Sequence, residues 1–406
     1  MDFTLTEDQR HWGCVARRFA RERVRPRARE LDRLADPAAT FPRDLVREAS
    51  RLGLRTLKVP KAHGGGGVDC LTEVIVQEEL AAGDVGFGMT LQHAWREGYI
   101  LACGTTDAQR ARFLPKFMAD ETCLMSFAMT EAHSGSDHKL RFDGTPEAGP
   151  QTRAERDGDE WVINGTKKFI TNGNVATWII LMARTDFSVP WHQGISVFIV
   201  PTDAPGFRVA RVMDKLGIRL NQNTELAFED CRIPAGNLLS GVNDGLVYLA
   251  QFGAGSMAKE GAKALGVARA ALEEAVAYAR QRVQGGRPIV EHQAISQLFY
   301  DLATEIEMAR GLIWRAAWAV DHAPEQAHQL ESMAKIAGAE VAARVGVRAL
   351  EVCGGNGVLT DHPMEKLARD ALSMMHAGTG NHALREAMVG DLVARAPDSL
   401  GVDFGE

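Results

Sequence analysis

Hydrophobic positions along this 406-residue chain change their period twice. Over residues 1–122 apolar side chains recur every three to four positions, the spacing that gives a helix one apolar face. Thr4-Leu5-Thr6-Glu7 has the spacing of a capping box, and the helical pattern then runs to Leu34. Phe41, Leu45, Val46, Ala49 and Leu52 outline a second helix that Gly53 stops. Four consecutive glycines after His63 mark a loop, and helical patterns resume over 71–82, 90–103 and 107–118.

From 123 to 238 the pattern shortens. Segments 151–164, 167–171, 176–184, 195–201, 207–213 and 224–228 are rich in β-branched and aromatic residues and are divided by Gly, Asn, Asp and Pro. That pattern predicts a compact antiparallel β domain, with a hairpin turn at Asn164-Gly165. From 239 to 406 the 3.6 period returns in long Ala-rich stretches, roughly 243–283, 291–322, 325–353 and 363–394, which predict a helical bundle. The expected architecture is therefore α+β and multidomain: a helical domain (1–122), a β domain (123–238) and a C-terminal helical bundle (239–406).

Composition narrows the function classes. The chain is 45% hydrophobic and 24% charged with a net charge of −7, which gives no reason to expect nucleic acid or an anionic membrane as partner. No apolar run approaches the roughly 20 residues of a membrane span. The start of the chain lacks a secretory pattern. The Arg-rich stretch 17–33 is interrupted by Glu22, Glu30 and Asp32, which predicts a solvated amphipathic helix and not a transit peptide. Six widely separated cysteines predict reduced thiols in a cytoplasmic protein, and the histidines show no metal-ligand spacing. Gly253-Ala254-Gly255-Ser256-Met257-Ala258 matches a dinucleotide-binding glycine pattern, but it lies in a helical stretch with no strand before it. Asn164-Gly165-Thr166 is a glycosylation sequon only by coincidence.

Several motifs carry candidate chemistry. Phe127-Ala128-Met129-Thr130-Glu131 is followed by Ser134-Gly135-Ser136-Asp137, a turn able to present amides and hydroxyls to a polar ring edge. Trp161 to Gly173 contains the run Phe169-Ile170-Thr171. Arg282-Val283-Gln284 precedes Glu291-His292-Gln293-Ala294-Ile295, and Cys353-Gly354-Gly355-Asn356-Gly357 is a glycine turn that lets backbone approach a ligand closely. Near the C-terminus stands Met375-His376-Ala377-Gly378-Thr379-Gly380-Asn381.

Taken in order, these segments resemble the acyl-CoA dehydrogenase family over essentially the whole chain. The resemblance implies a helical domain, a central β-barrel-like domain, a four-helix bundle and a bound FAD. It assigns cofactor contacts to Phe127, Met129, Thr130, Gly135, Ser136, Phe169, Ile170, Thr171, Arg282, Gln284, Glu351, Gly354, Gly355, Thr379 and Asn381. Arg282, Gln284 and Gly354-Gly355 would serve a neighbouring subunit's cofactor, so a dimer at least, and usually a tetramer, is implied. An acyl-CoA or related acyl substrate is implied as well, with an electron-transfer flavoprotein or oxygen as acceptor. Gly285 stands where the family has Phe, and Glu351 where it has Gln.

The departure that matters most is Ala377. The family's usual form of this loop is aromatic-Glu-Gly-Thr, and the Glu removes the proton beside the thioester carbonyl; a methyl group cannot. The alternative base position, at the start of the first bundle helix, falls on Ser256, and the Arg that follows it in the family falls on Met257. A positioned base is worth about 10² to 10⁴ in rate, so its loss calls for a replacement. Glu260 lies one helical turn beyond Ser256. Arg96 and Glu97 fall where the family lines its acyl pocket with apolar residues, so a pair such as Arg96–Glu260, a polar substrate, or a base whose pKa is raised is expected. His376, next to the vacant site, is a further candidate. The expected activity is dehydrogenation of an acyl thioester with a non-standard base. Alternatives are a desulfinase-like elimination, oxygenase chemistry on a polar substrate, or a non-catalytic subunit of a hetero-oligomer.

Overall fold

The computed structural model describes residues 4–136, 145 and 148–394. Helix α1 (Glu7–Phe19) is capped by Thr6 and not by Thr4. The Thr6 hydroxyl accepts from the Gln9 amide, and the Gln9 side chain accepts from the Thr6 amide. This later box puts Glu7 and Asp8 in the first turn, where the helix dipole favours acids. The predicted run to Leu34 is interrupted by a wide turn at Ala20–Val24 before α2 (Arg25–Asp32). Pro26 explains the interruption: it has no N–H, and its ring crowds the carbonyl four residues back, which a wider turn relieves. Helices α3 (Arg43–Arg51), α4 (Cys70–Gly83), α5 (Val85–Cys103) and α6 (Asp107–Ala119) complete the first domain. Helix α5 starts earlier than the pattern predicts because Asp84 caps it, accepting from the Phe87 amide at 2.8 Å.

The middle domain is one seven-stranded sheet: β1 (Met125–Ala128), β2 (Arg153–Asp157), β3 (Glu160–Thr171), β4 (Trp178–Arg184), β5 (Ile195–Pro201), β6 (Phe207–Met213) and β7 (Asn223–Pro234). Strand β4 is buried on both faces. It pairs antiparallel with β5 on one side, and β1 and β2 lie along its other side in parallel. The sheet is thus mixed, not purely antiparallel as the turn-rich sequence predicts.

Asn164-Gly165 is also not the hairpin turn. The turn is Gly158-Asp159, and β3 runs through Gly165 opposite a bulge in β7 at Glu229-Asp230. Asn164 donates to Asp230 at 3.1 Å and accepts from its amide at 2.8 Å, so this Asn pins two strands where it was expected to close a loop.

In the C-terminal domain α7 (Gly245–Ala250) and α8 (Ser256–Gln281) replace one predicted helix. After the short hairpin β8 (Val283–Gln284) and β9 (Arg287–Pro288) come α9 (Gln293–His322), α10 (Pro324–Cys353), α11 (Pro363–Ser373) and α12 (Asn381–Ala394). Both breaks in the predicted helices contain a glycine with positive φ, Gly255 (79°) and Gly378 (68°). Helices α8 and α10 run parallel with their backbones in contact: a Cβ on Gly261 would lie 2.6 Å from the Ala334 carbonyl oxygen. Among the described residues no helix is long and apolar enough to cross a membrane, and no acidic, His or Cys cluster could hold a metal ion. The six cysteines are free.

Candidate active site

Three helices and one loop converge on a buried patch of charge. Helix α5 presents Gln92, His93, Arg96 and Glu97 at the i, i+3 and i+4 spacings of one face. The first turns of α8 carry Lys259, Glu260 and Lys263, all buried although the helix is otherwise Ala-rich. Lys335 comes from α10, and the 374–380 loop closes over it: Lys335 donates to the Met375 carbonyl at 3.1 Å and to Asn381 Oδ1 at 2.5 Å.

Glu260 is the centre of this patch. Its Oε1 accepts from Lys263 Nζ at 2.7 Å and, weakly, from Gln92 Nε2 at 3.5 Å, while its buried Oε2 has no hydrogen-bond partner. That free oxygen borders the loop holding Ala377: a Cβ on Gly378 would lie 3.2 Å from Glu260 Cδ and 3.5 Å from Oε2. Gly378 is therefore required both by its left-handed backbone and by the carboxylate beside it. Burial works to raise the Glu260 carboxyl, but the Lys263 charge and hydrogen bond, helped by His93 and Lys335, hold it below the usual carboxylate range. Burial likewise lowers Lys263, offset only partly by Glu260, and pulls Lys335 down to about 8.

Arg96 does not pair with Glu260, as the sequence led us to expect. It donates to Glu97 Oε1 at 2.8 Å, and its guanidinium carbon lies 4.5 Å from the centroid of the Phe127 ring. His93 Nδ1 sits 3.2 Å from the same Glu97 oxygen and from Arg96 Nη2. Glu97 is fully buried, with Oε2 unpartnered. Glu260 instead takes Lys263, which is three residues along its own helix. Sequence reasoning passed over Lys263, Lys335 and Gln92. The available signal was that Lys259 and Lys263 interrupt an Ala-rich helix face at a four-residue interval. His376 is exposed and lies outside this buried cluster, while Ala377 is half-buried and packs on the apolar core around α8 and α10.

The residues assigned to a flavin fall into two groups. Phe127, Met129 and Thr130 extend from β1 towards the end of β3; the Thr130 carbonyl accepts from the Lys168 amide at 2.8 Å. Glu131 is a structural clamp. Its carboxylate takes the Gln151 and Thr152 amides and a 2.8 Å bond from the buried Lys167. Gly135 and Ser136 are half-buried, whereas Asp137 and His138 lie outside the described residues.

Phe169 has φ +59° in the bulge of β3 and is 58% exposed. Left-handed backbone on a bulky residue costs energy, and here the strain holds an aromatic ring outward. Ile170 and Thr171 beside it are buried, and the Thr171 carbonyl accepts from Ser126 at 2.6 Å. Thr379 and Asn381 are buried at the Glu260 end.

The second group gathers at the opposite end of the bundle. Arg282, Gln284, Glu351, Gly354 and Gly355 are exposed, and Glu351 pairs with Arg348. Asn356 donates to Tyr278 Oη at 2.8 Å, tying the glycine turn to the end of α8. Gly354 has φ +56°, and added Cβ atoms on Gly354 or Gly355 would meet open space. From Glu260 to Arg282 is 22 residues of α8 and its cap, or roughly 33 Å at 1.5 Å per residue. The two groups therefore mark separate places on one chain. Both fit a flavin dinucleotide: an outward aromatic with polar backbone at one end, and an arginine with an open glycine turn at the other.

Comparison with known proteins places the chain in a family. Three family models cover the chain in succession: acyl-CoA dehydrogenase, N-terminal domain (6–121), middle domain (126–231) and C-terminal domain (250–392). The probable acyl-CoA dehydrogenase YngJ of Bacillus subtilis is 32% identical over 391 residues, 96% of this chain and 98% of that protein. The butyryl-CoA dehydrogenase of Megasphaera elsdenii superposes with a TM-score of 0.87 at 32% identity, covering 97% of this chain and all of that one. A glutaryl-CoA dehydrogenase from Mycobacterium smegmatis in complex with FADH2 does so with a TM-score of 0.85 at 26% identity, covering 97% and 96%. This chain belongs to the acyl-CoA dehydrogenase family. Its class is that of flavoenzyme oxidoreductases acting on CH–CH bonds.

Proposed function

We propose that this protein is an FAD-dependent acyl-CoA dehydrogenase-like oxidoreductase in which Glu260 replaces the missing loop carboxylate as the base. The observation that carries the proposal is Glu260 Oε2: a buried carboxylate oxygen without a partner, beside the Gly378 that follows Ala377. Lys263 and Gln92 fix Oε1 and leave Oε2 to accept a proton from the carbon next to a thioester carbonyl. Lys335 anchors the loop at both ends and sets the position of Gly378. Bound FAD supplies the hydride acceptor for the β carbon. Phe127, Thr130, Phe169 and Thr171 would hold its ring, with Met129, Gly135, Ser136, Ile170, Thr379 and Asn381 around them.

The roughly 33 Å between Glu260 and Arg282 supports a further part of the reading. Arg282, Gln284, Glu351 and Gly354-Gly355 would serve the cofactor of a neighbouring copy, so the working form is a dimer or homotetramer. Reducing equivalents would leave to an electron-transfer flavoprotein or to oxygen. The six free thiols support a cytoplasmic setting.

The test is solvent-deuterium exchange into the α-position of acyl-CoA thioesters. Wild-type protein should catalyse it, and Glu260→Gln should slow it by about 10² to 10⁴. Exchange undiminished in that variant removes Glu260 from the role. A protein that binds FAD yet exchanges no thioester would instead fit a non-dehydrogenating branch.

A further inference from the structure

Beyond the base, the buried patch holds polar atoms with nothing to bind. Glu97 Oε2, Gln92 Oε1 and Arg96 Nε are buried without hydrogen-bond partners, in addition to Glu260 Oε2. Burying such atoms unpaired is costly, and the cost falls away only when something supplies the missing bonds. With Glu260 Oε2 reserved for the reacting proton, two acceptors and one donor remain. They lie on successive turns of α5, next to the Phe127 ring.

We infer that the acyl chain of the substrate carries a hydroxyl group beyond its β carbon, held by Glu97 as acceptor and Arg96 as donor. This rests on the reading of the site as one for acyl thioesters. A hydroxyl both donates and accepts, so it answers Glu97 Oε2 and Arg96 Nε together. A carboxylate has no proton to give and would face Glu97 and Gln92 with a second negative charge. An ammonium would confront Arg96 in a pocket where Arg96, Lys263 and Lys335 already outnumber Glu97 and Glu260 by one charge. An unsubstituted alkyl end would leave every one of these atoms unpaired.

Access is from the side of Arg96 and His93, whose side chains are 28% and 20% exposed. The soft terminal torsion of Glu97 can turn either oxygen to that side. Arg96 and Glu97 are thus specificity residues, not proton-transfer groups.

The test uses the flavin-loaded protein and calorimetric titration. Its probes are 4-hydroxybutyryl-, 5-hydroxypentanoyl- and 6-hydroxyhexanoyl-CoA, each against the unsubstituted, ω-amino and ω-carboxy thioester of equal length. At least one hydroxyl compound should bind roughly 10- to 100-fold more tightly than its alkyl counterpart, the worth of a hydrogen bond to a charged group. Glu97→Gln and Arg96→Lys should shrink that preference, with flavin content as the check on folding. Equal binding of alkyl and hydroxyl compounds at all three lengths overturns the inference, as does a preference for the amino or carboxy compound, or failure of every thioester to bind. Because binding is read without turnover, it is independent of Glu260. Hydroxyl preference with no α-exchange would remove Glu260 as base and keep this inference, and the reverse outcome would do the opposite.

Discussion

Replacing Lys263 with methionine removes the cation bonded to Glu260 and keeps much of its volume. The pair is 2.7 Å apart, with the lysine side chain fully buried and the glutamate side chain 8% exposed. At an effective dielectric of about 20, two unit charges at that distance attract by ~6 kcal/mol. Relief of the lysine's own desolvation offsets part of this. Breaking one side of a buried pair is expected to cost about 3–5 kcal/mol.

The sign of the pH dependence follows. In the wild type Glu260 lies below its unfolded value, so its contribution is present above the unfolded pKa of about 4.3 and is lost as pH falls through the folded one. In Lys263→Met only His93 and Lys335 still oppose burial, so the folded pKa is expected to rise above about 4.3. The penalty is then absent at low pH and grows as pH rises towards that new value. Denaturant unfolding followed by tryptophan fluorescence at about pH 5 and about pH 8 should show a variant much weaker at the higher pH and closer to wild type at the lower. Adding Glu260→Gln should recover much of the loss, the mark of a coupled pair. A variant within about 0.5 kcal/mol of wild type at the higher pH, or a deficit that does not change with pH, would refute the ion-pair account.

Three other outcomes are expected. Gly378→Ala forces a left-handed backbone at a cost of about 1–2 kcal/mol and sets a methyl 3.2 Å from the Glu260 carboxylate, so α-exchange should fall while flavin content stays; an unchanged rate would show the loop is not in register with Glu260. Phe169→Ala should reduce flavin retention, read from the visible-to-ultraviolet absorbance ratio, by the roughly 0.5–1.5 kcal/mol of an aromatic pair plus its buried area. Lys335 lies at about 8, below its unfolded value of about 10.4, so wild-type stability should rise with pH between those values as the unfolded chain binds the extra proton. Lys335→Met should flatten that rise in denaturant titrations, and retention of the full slope would contradict it.

Hydrophobic periodicity made the three-domain order legible, because long helices and short strands impose different repeats on the same core. What it misplaced depends on particular residues. Asn164-Gly165 reads as a turn from local chemistry, yet Asp230, in a bulge of the partner strand, captures Asn164 and keeps the glycine within the strand. The helix through Arg25 is broken by the needs of Pro26 and not by any loss of apolar pattern.

At the site, Glu260 was reachable from its spacing along α8, but its partner was not. Arg96 looked available by charge alone. Only the backbone contact of α8 with α10 and the i, i+3 geometry show that Lys263 reaches Glu260 first, leaving Arg96 to Glu97. The orphaned oxygens on Glu97 and Glu260 have no signature in a sequence, since an unpaired atom is a property of everything around it.

The most direct test of the central claim is to move the carboxylate. Acyl-CoA α-deuterium exchange should be strong in the wild type, nearly abolished in Glu260→Gln, and partly restored in Glu260→Gln combined with Ala377→Glu, because the two positions flank Gly378. A Glu260→Gln protein that exchanges at the wild-type rate would contradict the account, and so would a double variant as inert as Glu260→Gln alone.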